Sequence, residues 1–61
     1  MRPYRVGDTI KFVGNKTLLQ GVILKKQGNT IIAKNGNDEY TITEEDIRQL
    51  VSEKPVGENL N

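Results

Sequence analysis

Sixty-one residues, 34% of them hydrophobic and 28% charged, amount to one small domain. The chain holds neither Cys nor His, which excludes disulfides, Cys/His zinc sites, thiol nucleophiles and imidazole bases. The net charge of +1 hides an asymmetry. Residues 1–34 carry seven cations against Asp8 alone, a net of +6, whereas residues 35–61 carry two cations against seven acids, a net of −5. Such a division marks either an anion-binding face beside an acidic one, or two halves that neutralise each other across neighbouring strands.

In chain order, Val6-Gly7-Asp8 reads as a turn, followed by the polar–apolar alternation Thr9-Ile10-Lys11-Phe12 of a half-buried strand. Ile10 and Phe12 then share the inner face. Gly14-Asn15-Lys16-Thr17 breaks the pattern and predicts a loop. A second strand is expected from about Leu19 to Lys26. Its Val22-Ile23-Leu24 run is apolar on both faces, and period alone does not say which residue faces the core. Gly21 within it suits a bend where the strand curls. Gly28-Asn29 and Asn35-Gly36 bracket the β-branched run Thr30-Ile31-Ile32-Ala33-Lys34. Gly-Asn suits a type II′ turn and Asn-Gly a type I′ turn, so a three-stranded antiparallel meander is predicted, with Tyr40 and Ile42 pointing inward from its last strand.

Thr43-Glu44-Glu45-Asp46 places a capping residue three positions before an acid. A 3₁₀ turn at Glu44–Asp46 and then a short closing strand is favoured over one turn of helix ahead of Ile47 and Leu50, because so small a sheet gains from a closing strand. Ser52 onward contains Pro55, Gly57 and two Asn with few apolar residues, so residues 52–61 are expected to form a disordered tail.

The fold class this implies is all-β: a five-stranded SH3-like barrel over residues 1–51, with a single helical turn before its last strand. Val6-Gly7-Asp8-Thr9-Ile10-Lys11-Phe12, Gly21-Val22-Ile23 and Thr30-Ile31-Ile32-Ala33 also resemble the KOW pattern. In that pattern Gly-Asp opens a strand and a Gly precedes an apolar triplet. KOW domains occur in the transcription factor NusG and in ribosomal proteins. The chain is similar to small KOW-like bacterial proteins typified by YkvS. The resemblance covers about residues 6–34, and its glycines and apolar positions specify fold more than function.

For function, the resemblance implies RNA or a ribonucleoprotein as ligand. The residues that would meet phosphates are Arg2, Tyr4, Arg5, Lys11, Lys25, Lys26 and Lys34, cations with one aromatic among them. A pI of about 8.0 and few aromatics depart from the pattern of a strong nucleic-acid binder. The alternative is a protein–protein adaptor or host-factor-binding protein, using Leu18 and Leu19 beside the first loop, with a partner in the transcription or translation machinery. If those leucines instead cover the bottom of the core, they mark no partner.

No enzyme activity, metal or cofactor is expected. Glu44, Glu45 and Asp46 are adjacent acids that point in different directions and read as a solvated turn. Gln20-Gly21 resembles a feature of the type II dihydrofolate reductases, but Tyr40-Thr41-Ile42-Thr43 lacks their pore-lining Gln and Tyr. The Asp38-Glu39 segment lacks the spacing of a calcium loop. The longest apolar run, Val22-Ile23-Leu24, cannot cross a bilayer, and Met1 to Arg5 lacks the apolar stretch of a signal peptide. A soluble, monomeric cytoplasmic protein is therefore the expectation.

Overall fold

The computed structural model describes residues 3–53. Five antiparallel strands form one sheet: β1 (Thr9–Gly14), β2 (Thr17–Gln27), β3 (Thr30–Asn35), β4 (Asp38–Ile42) and β5 (Ile47–Ser52). Their order is β4-β3-β2-β1-β5, so a four-strand meander is extended by β5 returning beside β1. The edge strands β4 and β5 are not hydrogen-bonded to each other. Residues 3–51 of the expected barrel region thus form the sheet and its lead-in; Ser52, expected in a tail, pairs with Thr9 at the end of β5. The rest of the expected disordered tail, from residue 54 onward, lies outside the described residues.

Alternation decides the two faces. Ile10 and Phe12 of β1, Ile23 of β2, Ile31 and Ala33 of β3, Ile42 of β4 and Ile47 of β5 are buried together. Tyr4, Leu19, Tyr40 and Leu50 pack around them. A single flat sheet cannot close off its own side chains, yet five of these core residues have no exposed surface. The sheet is therefore strongly curled, with the core in its concave side. Phe12 on β1 meets Tyr40 on β4 across two intervening strands, with ring centroids 5.7 Å apart and planes tilted by 60°.

Curling this tight needs a backbone that can approach closely. At Gly21 a Cβ would lie 2.4 Å from the carbonyl oxygen of Lys34, a backbone atom that cannot step aside. The bend expected at Gly21 is thus a place where β2 presses against β3 too closely for any side chain. Beyond it, Leu24-Lys25 stands opposite the lone Ile32, a bulge that increases twist and coiling.

The connections correct two expectations. Gly14–Thr17 is not a loop but a two-residue hairpin turn. Gly14 pairs with Thr17, and Asn15 and Lys16 adopt φ of 53° and 64°. Positive φ at both central residues is the type I′ signature, whose twist matches the flanking strands. Asn15 suits such a turn but Lys16 stands where glycine is usual, so the sequence signalled it only in part, and both strands run longer than expected. The reversal after β3 is also centred one residue later than Asn35-Gly36. Asn35 pairs with Asp38, leaving Gly36-Asn37 as the central residues, with positive φ at Gly36 (63°) but not at Asn37. It therefore repeats the type II′ pattern of Gly28-Asn29. Asn35 instead donates from its side-chain amide to the Gln20 carbonyl at 2.7 Å.

The 3₁₀ turn at Glu44–Asp46 and a short strand after it are as expected, but that strand adds to the β1 edge and does not pair with β4 to close the sheet. The Asp46 N–H donates to the Thr43 carbonyl, and the Thr43 N–H donates to the Asp46 carboxylate at 3.1 Å. Arg5 to Asp8 closes a β-turn in which the Asp8 N–H donates to the Arg5 carbonyl and the Arg5 N–H donates to the Asp8 carboxylate at 2.9 Å. Gly7 and Asp8 then bond the backbone of Ile23 in both directions, which fastens the lead-in to β2.

Candidate nucleic-acid interface

The convex side of the sheet carries every strand residue that alternates away from the core. On β1 these are Thr9, Lys11 and Val13, and on β2 Leu18, Gln20 and Val22. β3 contributes Ile32 and Lys34, and β4 contributes Glu39 and Thr41. Pairing fixes the neighbours: Lys11 lies between Gln20 and Gln49, and Lys34 lies between Val22 and Glu39. The bulge turns both Leu24 and Lys25 outward opposite Ile32. Three of the expected phosphate contacts, Lys11, Lys25 and Lys34, therefore share this face.

The remaining candidates are placed differently. Lys26 follows the bulge and pairs with the buried Ile31, on the core side of β2. Its ammonium donates to the Tyr4 carbonyl at 3.0 Å and lies 3.5 Å from the Glu44 carboxylate. It ties the N-terminal segment and the 3₁₀ turn to the end of β2. Tyr4 is half-buried against the core, with its carbonyl engaged by Lys26. Arg5 is exposed in the turn ahead of β1, away from the strand face. Arg2 lies outside the described residues.

A further cation joins the face. Arg48 stands with Gln49 opposite Lys11, where β5 inserts an extra residue against β1. Its guanidinium donates to the Glu45 carbonyl at 2.6 Å, and the side chain stays exposed. Position was the available signal, since Arg48 follows the inward Ile47; its location in the acidic half of the chain hid it. Glu39 is the acid directly opposite Lys34, and Lys26 lies beside Glu44, so acids of the second half stand next to two of the first half's cations.

The paired leucines divide. Leu19 packs on the core, whereas Leu18 is 56% exposed beside Val13 on the convex face. Val22 and Leu24, 39% and 42% exposed, continue an uncharged ridge along β2. The acids Glu44 and Glu45 line a shallow open cleft with Asn29 and Thr43. Among the described residues no group of His, Cys, Asp or Glu gathers three ligands for a metal ion, and no helix is long and apolar enough to cross a membrane. No protein-family model, curated protein or solved structure matches the chain.

Proposed function

We propose that the chain is a non-enzymatic binding module, an SH3-like barrel of KOW-like type, whose convex face engages the phosphates of RNA or of a ribonucleoprotein. The strand order, a meander extended by β5 beside β1, and the curl that buries one face of the sheet support the barrel reading. The observation that carries the function is the gathering of Lys11, Lys25 and Lys34 with Arg48 on one face, against Glu39 alone among its paired neighbours. Long flexible cations on a rigid sheet suit phosphate contact, which is electrostatic and tolerant of sequence.

The test is titration of labelled RNA at low and moderate salt. Four phosphate contacts predict a loss of affinity of about 150-fold between 50 and 200 mM salt, taking the duplex slope of about −0.9 per contact. Absence of binding at low salt would sink the reading. The exposure of Leu18 favours a second reading, a protein–protein adaptor. A pull-down that recovers one defined partner, survives nuclease and is lost in Leu18→Asp would support it.

A further inference from the structure

We propose that the ligand of this face is a nucleic-acid duplex of A-form geometry, double-stranded RNA, straddled through its two phosphate rows, and not an unstacked single strand. The inference rests on the phosphate-binding reading above and specifies the ligand. Its first support is where the aromatic side chains lie. The chain has three, and none faces outward from the sheet. Phe12 is fully buried, Tyr40 stacks on it, and Tyr4 packs against the core. Proteins that hold single strands depend on exposed aromatic platforms worth about 1–3 kcal/mol per base. This face offers no such platform.

The second support is the arrangement of charge about β2. Gln20 and Val22 form the middle of the convex ridge. Lys11 and Arg48 lie on its β1–β5 side, and Lys34 lies on its β3 side. Lys11 and Lys34 are two strands apart and offset by two residues, roughly 12 Å between Cα atoms at ordinary sheet spacing. Convex curvature splays their side chains further. Lys11 with Arg48 on one side and the single Lys34 on the other flank the uncharged Gln20–Val22 stretch, with Lys25 further along β2, an arrangement that matches two phosphate rows flanking a shallow groove.

The groove must be wide enough for a strand. The minor groove of B-DNA, about 6 Å across, does not admit one, and its major groove, about 12 Å wide, is deep and carries no 2′-hydroxyls, whereas the A-form minor groove is wide and shallow and displays them. The Gln20 amide can donate to and accept from those hydroxyls, and Val22 can rest on ribose carbon. The ridge therefore has a place in this ligand that a single strand would not give it.

Fluorescence anisotropy of the whole chain at low salt, with a short RNA duplex, one of its strands alone and the DNA duplex of the same sequence, tests the inference. Duplex RNA is expected to bind at least about tenfold more tightly than either of the others, a difference of about 1.4 kcal/mol. Gln20→Glu, an exposed change beside Lys11, is expected to weaken duplex RNA binding about tenfold with an unchanged melting temperature. Equal or tighter binding of the single strand or the DNA duplex overturns the inference and leaves the phosphate-binding reading in place. Binding of none of the three overturns that reading as well, in favour of a protein partner.

Discussion

At the scale of single residues, Gly21 and Phe12 control the curl together, the ring of Phe12 lying over the space that a Cβ at Gly21 would enter. A methyl group at Gly21 meets the Lys34 carbonyl, so Gly21→Ala must separate β2 from β3 or unbend the sheet. The expected loss is about 2–3 kcal/mol by urea denaturation, the upper range for overpacking. A domain of this size holds only about 3–5 kcal/mol, so the variant should be largely unfolded near 40 °C. Gly14→Ala should cost less, because its closest neighbours are the ring edges of Phe12 and Tyr40, which can shift. Phe12→Ala removes the centre of the core and should abolish the cooperative transition, with a cost of about 3–5 kcal/mol. Asp8 is the buried acid that holds the lead-in turn through the Arg5 N–H. Asp8→Asn keeps that acceptor and should be milder than Asp8→Ala, which removes the part-buried hydrogen bond at a cost of about 1 kcal/mol.

At the scale of elements, three two-residue turns set the register of the meander. The turn at Asn15-Lys16 departs from ideal chemistry, because a lysine occupies the left-handed region. That conformation costs a non-glycine residue about 1–2 kcal/mol, part of which glycine would return as unfolded-state entropy. Lys16→Gly should therefore raise stability by up to about 1 kcal/mol, measured as a higher urea midpoint with an unchanged slope. The same turn shows where reading by residue type reached its limit. Gly28-Asn29 announced its reversal because glycine stands where φ is positive. Asn35-Gly36 announced one too, but cross-strand pairing put the centre a residue further on, since Asn35 still completes a rung with Asp38. At Asn15-Lys16 the asparagine suits the left-handed region, but a lysine where the type I′ turn favours glycine left the signal incomplete. Period-two alternation gave the inward set of β1 and β4 directly. In β2 it could not, because a bulge after Ile23 shifts the phase, so that Lys25 points outward and Lys26 to the core side, the reverse of plain alternation.

At the scale of the whole molecule, the asymmetry of charge along the chain becomes an asymmetry of face only in part. Lys11, Lys25 and Lys34 gather as the strand pattern implied, while Lys26 is drawn to the sheet's end by Glu44 and the Tyr4 carbonyl. Replacing Lys11, Lys25 and Lys34 together with Gln should remove phosphate binding without changing the circular dichroism, since surface changes that bring no like charge beside Glu39 usually cost within about 0.5 kcal/mol each. Lys26→Glu should instead lower the melting temperature, because it sets a second acid beside Glu44 and releases the Tyr4 carbonyl. The contrast between the two variants, read by RNA titration and thermal melting, separates the binding cations from the structural one.

The return of β5 to β1 has a kinetic consequence. Every other strand pairing joins neighbours in sequence through a two-residue turn, whereas Phe12 meets Ile47 only after the whole meander has been laid down. Closing that long loop costs chain entropy before any contact rewards it. β5 should therefore be the last strand to dock and the first to detach, its amides exchanging with solvent deuterium ahead of those joining β2 to β3. Each such opening would uncover Ile47 and one side of Phe12, so the lifetime of the β1–β5 pairing, more than the strength of any hairpin, would govern how fast a protease destroys the molecule.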